Sequence, residues 1–429
     1  MILHSISITN FRNIETPTTF ELHPKFTAII GTNGKGKSTI LHAVRIAAGT
    51  YLLGIPPVVK RAIVESEIRR KDFGTHSGLQ TPTIIKAVGN LEENIIEWTR
   101  KIPKGKVKTT SSNEDVGIIR NIAKDNFQRV NEEGFADVDL PVIAFFGTGR
   151  FAGGGRDTLR KYVSREVFKD GYYSWLDMRY STFQYPRWLR GYDSRLEEKK
   201  EIAGTLEAFY HAIKTAVPFI QKISFNGEEF LLKVKIDDYE SDLLPLSLHS
   251  DGIITHTSMV AELAYRCLVL NAHHADKAIE KSKGIVMIDE LDLHLHPNWQ
   301  KRVVRDLKLA FPNLQFIVTT HSPFIVQSLD SNELINLDGS NPSVDPTDLT
   351  LNKVATDVMG VKGLNADDFM ARYSEAYGNL LAIQNSKGTL TLDDYEEVNK
   401  ILSQVLIKDT VDPIYKAFLQ LKNEEDEAS

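Results

Sequence analysis

The pattern of apolar and polar positions predicts short strands interleaved with helices. Alternating apolar positions over residues 2–8 are typical of an exposed edge strand, and two more strands are expected within Thr83–Thr99, around Asn90–Asn94. Continuous apolar runs predict three buried strands, at Phe26–Ile30, Gly284–Ile288 and Leu314–Thr319. The first of these runs stops at Gly31, so it is expected to lead into a glycine-rich loop.

Helical spacing and end signals mark the segments between these strands. One helix is predicted over Ser38–Ala48, with Gly49 suited to end it, and another from Pro297 to Phe311. After Leu329 the chain is expected to turn helical, with an apolar stripe at Val398, Ile401, Leu402 and Val405. We find no internal repeat and no sustained heptads, which excludes a long coiled coil.

Length and composition limit the classes of protein that fit. With 429 residues, 42% of them hydrophobic and 25% charged, the chain is long enough for two or three packed lobes and has a globular composition. No apolar stretch approaches the roughly 18 residues of a membrane span, and the N-terminal sequence lacks the pattern of a secretory signal. The single cysteine, Cys267, excludes a disulfide framework and a CxxC zinc site. We therefore expect a cytoplasmic protein with no membrane association.

Charge is distributed unevenly along the chain. The net charge of −6 excludes a uniformly basic nucleic-acid coat. Residues 101–200 carry 19 Lys+Arg and 14 Asp+Glu, a surplus of +5, whereas residues 330–429 carry 8 and 19, a deficit of −11. These regions are either surfaces for partners or the solvated faces of ordinary helices.

The glycine-rich loop fits the phosphate-loop motif G-x-x-x-x-G-K-[ST] over residues 31–38, between a predicted strand and a predicted helix. Its glycines allow successive backbone N–H groups to face one anion, and the helix N-terminus adds partial positive charge. Lys37 is expected to reach the β- and γ-phosphates of ATP, and Ser38 to coordinate Mg²⁺. The other residues of this segment that we expect to contact the nucleotide are Asn33, Gly34, Gly36 and Thr39.

Two acidic residues follow the strand predicted at Gly284–Ile288. Asp289 is suited to a direct or indirect Mg²⁺ contact, and Glu290 to polarising an attacking water. The strand predicted at Leu314–Thr319 brings His321 to the same sheet edge, where it can hydrogen-bond the γ-phosphate or the water. These residues predict ATP hydrolysis, with Glu290 and His321 as the catalytic pair.

This set of motifs resembles the ABC-type ATPase heads of the RecF, Rad50 and SMC class. Phe11-Arg12 resembles the element that follows the first strand in that class, and residues 248–252 stand where its signature motif stands. The resemblance implies an α/β fold, namely an ABC-type P-loop ATPase head with an inserted α-rich lobe and a helical C-terminal extension. It also implies ATP and Mg²⁺ as cofactors and Arg12 as a nucleotide contact.

The same resemblance implies a head-to-tail dimer. In that class the signature reaches the γ-phosphate held by the opposite subunit, which assigns this role to Ser250 and Gly252. Asp292 falls in the D-loop of the class and is expected to contact the nucleotide as well. His249 and Asp251 depart from the common signature pattern.

A narrower resemblance covers about residues 1–330. Residues 140–150, the Ser-Asp-Gly run at 250–252 and Asp289–Pro297 resemble bacterial ATPases that include the ATPase subunits of Septu and retron-linked antiphage systems. It implies a switch or sensor subunit that forms a homo-oligomer and controls a separate effector, a nuclease or a toxin.

The domain division that follows has four parts. Residues 1–100 form the ATPase lobe with the phosphate loop, and residues 101–215 form an inserted helical and aromatic lobe. Residues 216–340 form the ATPase lobe with the signature, the acidic strand and His321. Residues 341–429 form a helical C-terminal region for assembly or partner binding.

Two other functions stay open. The chain could be the nucleotide-binding subunit of a membrane transporter, or a RecF-like ATPase of DNA repair. The long aromatic insert between Lys37 and Ser250 argues against the transporter. A built-in nuclease is not expected, because the sequence has no zinc-nuclease pattern and no clustered metal ligands outside the ATP site.

The segment Val142–Arg195 has two interpretations. It contains ten Lys+Arg, five acidic and thirteen aromatic residues, so it could stack and neutralise nucleic acid. Alternatively, the aromatic residues form the small core of the inserted lobe, which we favour. Arg150 and Arg156 could approach the nucleotide. The pairs His294/His296 and His273/His274 are expected to pack or hydrogen-bond, because no third metal ligand is in reach of either pair.

Overall fold

The computed structural model describes residues 1–72, 74, 77–132, 138–151, 166–197, 204–236, 238–339, 341–342 and 344–361. The strands in this part of the chain are β1 (Ile2–Thr9), β2 (Thr18–Glu21), β3 (Phe26–Ile30), β4 (Arg70–Asp72), β5 (Ser77–Leu79), β6 (Thr83–Leu91), β7 (Asn94–Ile102), β8 (Val142–Phe146), β9 (Ile220–Phe225), β10 (Phe230–Ile236), β11 (Tyr239–Glu240), β12 (Leu244–Pro245), β13 (Gly284–Ile288), β14 (Leu314–Thr319) and β15 (Leu334–Asn336). The α-helices there are α1 (Lys37–Ala48), α2 (Asn113–Glu132), α3 (Val167–Gly171), α4 (Tyr185–Arg190), α5 (Tyr192–Glu197), α6 (Thr205–Ala216), α7 (Asp251–Leu270), α8 (Ala278–Lys281), α9 (Pro297–Ala310), α10 (Pro323–Val326) and α11 (Leu351–Lys353).

The main sheet has five parallel strands in the order β15-β3-β14-β13-β8. Strands β3, β8, β13 and β14 are buried along their whole length, which explains their uninterrupted apolar sequences. Because all five strands run in the same direction, their carboxyl ends lie along one edge of the sheet. In open α/β sheets this edge is where ligands bind.

A four-stranded antiparallel sheet has the order β2-β1-β6-β7. It confirms the strands predicted within Thr83–Thr99, since β6 and β7 form a hairpin over residues 83–102. The expectation of an edge strand at residues 2–8 is wrong, because β1 pairs with β2 on one side and β6 on the other. A third sheet pairs β10 with β9, β11 and β12, and β4 pairs with β5.

Helices α1 and α7 pack against the strands of these sheets. Helix α1 follows β3 and packs against β1, β6 and β14. Helix α7 has 20 residues and packs against α6, α3 and β8. By length and composition α7 is the one described helix that could cross a membrane, but 94% of its most apolar stretch is buried inside the protein. Helix α7 is therefore a buried helix of the protein core.

The structure agrees with the three predicted buried strands and with the helices predicted at Ser38–Ala48 and Pro297–Phe311, but it differs from the sequence predictions at two further places. Residues 334–336 form β15, parallel to β3, although the chain after Leu329 was expected to be helical. Strand β8 comes from within the predicted insert at 101–215, yet it forms one edge of the main sheet. A strand of three residues shows no periodicity, and pairing partners far away in the sequence leave no local signal.

The chain divides into two compact units, Met1–Asp348 and Leu349–Ser429. In the second unit the structure describes α11, with Thr350 at its N-cap, and a short π-helical turn over Val354–Val358. The predicted apolar stripe at residues 398–405 and the region beyond it lie outside the described residues.

Candidate active site

The phosphate loop leaves β3 at the carboxyl edge and enters α1. Gly34 and Gly36 have φ values of +83° and +109°, conformations that glycine adopts without strain. A Cβ on Gly36 would lie 2.8 Å from Nδ2 of Asn13, so a larger residue would also collide there. Residues 32–35 are exposed at the tip of the loop. The loop therefore offers backbone N–H groups and the start of a 12-residue helix to an anion.

Lys37 folds over this loop. Its Nζ donates to the carbonyl oxygen of Gly31 at 2.7 Å and to that of Thr32 at 3.3 Å. The side chain of Asn33 lies 3.5 Å from the same Nζ. These contacts hold the ammonium group against the loop, and the phosphate contact expected of Lys37 stays a prediction.

Two further side chains that the sequence analysis missed contact the phosphate loop. Asn13 donates to the carbonyl oxygen of Gly34 at 3.1 Å and accepts from Oγ1 of Thr39 at 2.8 Å. Asp338, which follows β15, accepts from the backbone N–H and from Oγ1 of Thr32, the latter at 2.9 Å. Both partners are remote in sequence, so local patterns do not reveal them.

Arg12 lies beside a buried carboxylate. Its Nη2 donates to Oε1 of Glu67 at 2.8 Å, and Nη2 of Arg61 donates to the same oxygen at 2.5 Å. Glu67 is only 2% exposed, so this pairing with two arginines balances its buried charge. The nucleotide contact expected of Arg12 stays a prediction.

Asp289 follows β13 and faces the start of α1. Oγ of Ser38 lies 3.3 Å from each carboxylate oxygen of Asp289. Thr319, the last residue of β14, donates its hydroxyl to Oδ1 of Asp289 at 2.6 Å. A hydroxyl and a carboxylate are hard oxygen donors of the kind that Mg²⁺ prefers, so these residues fit that ion.

Glu290 is held in an unusual backbone conformation. Its φ of 52° lies in the left-handed region, which non-glycine residues adopt at an energetic cost and often at functional sites. Its N–H donates to Oγ1 of Thr319 at 2.8 Å. Burial and then the negative charges of Asp289 and Asp292 raise the pKa of its carboxyl group. A raised pKa makes this carboxylate a better proton acceptor.

Arg150 fixes the backbone at these two acids rather than pointing at a nucleotide. Its Nη1 donates to the carbonyl oxygen of Asp289 at 2.5 Å and its Nη2 to that of Glu290 at 2.7 Å. The side chain is buried, with 2% exposure, which corrects the expectation that it could approach the nucleotide. Arg156 lies outside the described residues.

His321 and Asp292 meet at the end of β14. Oγ1 of Thr320 donates to Oδ1 of Asp292 at 2.6 Å, and the backbone N–H of His321 donates to the same oxygen at 3.3 Å. His321 is exposed at the carboxyl edge of the sheet, as the strand order predicted. Asp292 therefore ties the segment after Glu290 to the segment that carries His321.

The signature residues lie at the N-terminus of α7. Ser250 is the N-cap residue, and both Ser250 and Asp251 are exposed. Gly252 is buried, and a Cβ at this position would lie only 2.4 Å from the carbonyl oxygen of His294. His249, which departs from the common signature, has its Nε2 3.3 Å from the carbonyl oxygen of Leu232.

The aromatic residues of Val142–Arg195 form a core. Tyr172, Trp175, Tyr185, Trp188 and Tyr192 are buried, whereas Tyr173 is 47% exposed. Trp188 packs against Phe209 and Tyr265, which belong to α6 and α7. Buried rings cannot stack on bases, so these residues support the core interpretation.

The AAA domain family matches residues 5–243, more than half of the chain. A second AAA domain family, whose description refers to the AbiEii toxin and a type IV toxin–antitoxin system, matches residues 179–327.

Three curated relatives show how far the similarity extends. The Retron Vc95 probable ATPase of Vibrio cholerae serotype O1 biovar El Tor is 25% identical over 415 residues, covering 84% of this chain and 78% of that protein. The Retron Ec83 probable ATPase of Escherichia coli is 40% identical over 130 residues, covering 30% of this chain and 23% of that protein. The Septu protein PtuA of Bacillus thuringiensis is 49% identical over 59 residues, covering 14% of this chain and 15% of that protein.

Among solved structures, the SMC head domain from Thermotoga maritima aligns at 15% identity with a TM-score of 0.45, covering 78% of this chain and 94% of that one. That likeness is too low to bear on function. The family match, the parallel sheet and the phosphate loop at its carboxyl edge lead to one identification: this chain belongs to the AAA domain family and is an ATPase with a P-loop α/β fold.

Proposed function

We propose that this protein is a Mg·ATP-dependent switch that closes as a head-to-tail dimer and controls a separate effector in an antiphage defence system. The observation that carries the proposal is the exposed signature at the N-terminus of α7. Ser250 is open to solvent, and next to it Leu248 is an apolar side chain with 68% exposure. These residues are available to the nucleotide bound by a second copy.

Nucleotide binding depends on groups that already converge at the carboxyl edge. The loop N–H groups and Lys37 would bind the phosphates, while Ser38 and Asp289 would hold the metal ion. Mg²⁺, when bound, neutralises negative charge on the β- and γ-phosphate oxygens. Asp338 places a negative charge beside Thr32, so its carboxylate repels an incoming phosphate group.

Hydrolysis requires a water oxygen to bond to the γ-phosphorus while the bond to the β,γ-bridging oxygen breaks. Glu290 accepts a hydrogen bond from that water and holds it in line, which its raised pKa favours. Arg150 and Thr319 fix the backbone of Glu290, so the carboxylate needs little reorganisation. His321 stands at the same edge, where it can donate to the γ-phosphate.

Closure follows from linkage. ATP that contacts Lys37 of one subunit and Ser250 of the other binds the dimer more tightly than the monomer, so it stabilises the dimer, and hydrolysis removes that bridge. Such a cycle suits a switch. The curated relatives named as retron and Septu proteins support a role in defence, and the net charge of −11 over residues 330–429 makes this acidic segment a candidate to bind the effector.

Two measurements test this function. Phosphate release from ATP should require Mg²⁺ and should be abolished by Lys37→Ala but not by Lys104→Ala, which removes an exposed lysine. In cells that carry this gene with its neighbours, Lys37→Ala should restore plating of a phage that the wild-type system restricts. Full restriction by an ATPase-dead variant would contradict the switch.

A further inference from the structure

A cluster of three potential metal ligands lies apart from the ATP site. Among the residues that the structure describes, Asp139, His273 and His274 bring one ligand atom each within 4.8 Å of one another. Nε2 of His273 lies 2.9 Å, and Nε2 of His274 2.6 Å, from Oδ1 of Asp139. The expectation that His273/His274 has no third ligand in reach is therefore wrong, because Asp139 approaches from a distant part of the chain.

The scaffold behind these side chains is fixed by hydrogen bonds. Asn271, at the C-terminus of α7, accepts from the N–H of Leu140 at 2.8 Å and donates to its carbonyl oxygen at 3.1 Å. Its Nδ2 also donates to Ser282 at 2.8 Å. The N–H of His274 donates to the carbonyl oxygen of Asn271 at 3.1 Å. The histidine segment and the Asp139 segment are thus held together by buried contacts next to the cluster.

The position of the cluster separates it from the nucleotide. Asp139 precedes β8, so it lies at the amino end of a strand whose carboxyl end faces the ATP site. The histidines follow the C-terminus of α7, whose N-terminus carries Ser250. Twenty helical residues span about 30 Å, so the cluster and the signature stand at opposite ends of one helix.

The exposure of the three side chains suits a ligand site. The side chains of His273 and His274 are 11% and 19% exposed, whereas that of Asp139 is 56% exposed. The exposed side of the Asp139 carboxylate leaves room for water or another ligand.

We propose that Asp139, His273 and His274 bind one divalent transition-metal ion of the zinc class. Two imidazole nitrogens and one carboxylate oxygen are a donor set that Zn²⁺ and Co²⁺ accept, with a further position open to solvent. An ion about 2.0–2.2 Å from each ligand needs ligand atoms about 3.3 Å apart. The present distances of 2.9 and 2.6 Å need to widen by less than about 1 Å, which rotation of the exposed Asp139 side chain allows.

Binding at this site is distinguishable from binding at the ATP site. The untagged full-length protein is titrated with Co²⁺ in excess Mg²⁺, which occupies the hard oxygen ligands Ser38 and Asp289. We expect one equivalent of Co²⁺ to bind, with visible d–d absorption and no thiolate charge-transfer band, because Cys267 is buried. Zn²⁺ should displace it and raise the melting temperature.

Three variants and a control test the assignment. Asp139→Asn retains an acceptor for the histidines, so it should fold like the wild type while losing affinity for Co²⁺ at least tenfold. His273→Gln and His274→Gln should lose at least as much, whereas His211→Gln, which removes an exposed histidine of α6, should bind normally. The proposal is overturned if the wild type binds no Co²⁺, or if all four variants bind it with equal affinity.

Discussion

Gly252 lies directly against the main chain of His294: a Cβ on Gly252 would approach the carbonyl oxygen of His294 to 2.4 Å. His294 itself has a φ of 63°, in the left-handed region. The first turn of the signature helix therefore packs on the segment that follows Glu290, with no side chain between them.

Gly252→Ala should destabilise the protein by about 1–3 kcal/mol, the usual cost of overpacking a close contact. Urea unfolding measures the loss. The matched control is Gly117→Ala in α2, where a Cβ meets no atom closer than 3.6 Å. That variant should gain about 0.5–1 kcal/mol from improved helix propensity. Equal stability of the two variants would show that the Gly252–His294 contact is not close.

Glu290→Gln should lower the turnover of ATP by on the order of 10²–10⁴, the range for loss of a positioned general base. ATP binding should persist, because Lys37, Ser38 and Asp289 are unchanged. Phosphate release and binding of a fluorescent ATP analogue are measured on the same preparation. Hydrolysis at the wild-type rate would remove Glu290 from the mechanism.

As the pH is lowered, the turnover of ATP should begin to fall at a higher pH than it would if Glu290 had the pKa of an ordinary glutamate. The carboxylate of Glu290 is the active form, and burial with the charges of Asp289 and Asp292 raises its pKa, so acid inactivates it earlier. Asp292→Asn removes one of these charges and should move the acidic limb of the pH profile to lower pH. Asp242→Asn, an exposed substitution, is the control. An acidic limb that stays in place in Asp292→Asn would contradict this assignment.

Asp338→Asn should tighten ATP binding, because it removes a negative charge that contacts Thr32 of the phosphate loop. The gain should be about 1 kcal/mol, roughly fivefold in Kd, for charges separated by a few ångströms near water. Asp348→Asn, at an exposed position in the same region, should leave Kd unchanged. Weaker binding by Asp338→Asn would mean that this carboxylate supports the loop instead of opposing phosphate.

The sequence predicted those parts of the fold that leave a local pattern. Strands β3, β13 and β14 are uninterrupted apolar runs, and α1 follows a loop whose glycines and lysine form a recognisable motif. The common position of Asp289, Glu290 and His321 could be predicted because parallel strands bring their carboxyl ends to one edge of the sheet. The three-residue strand β15 and the place of β8 in the main sheet depend on pairing with distant strands.

The same limit applies to the site. Thr319 reaches Asp289 across 30 positions, and Asp338 reaches Thr32 across 306. Asp139 meets His273 across 134 positions. In each contact one partner, namely Thr319, Asp338 or Asp139, has no distinctive local sequence, so only the folded chain reveals it. Arg150 differs, since a conspicuous glycine-rich context suggested a nucleotide contact, whereas burial directs it to the carbonyl groups of Asp289 and Glu290.

ATP is expected to join two copies of the chain through Ser250. On the Glu290→Gln background, which retains ATP, light scattering should show that the molar mass rises when Mg·ATP is added. Adding Ser250→Arg should abolish this rise while fluorescent-ATP binding to the monomer persists, because the arginine fills the composite site. Ser111→Arg, at an exposed serine before α2, should assemble like the parent. ATP-dependent assembly that survives Ser250→Arg undiminished would contradict the account.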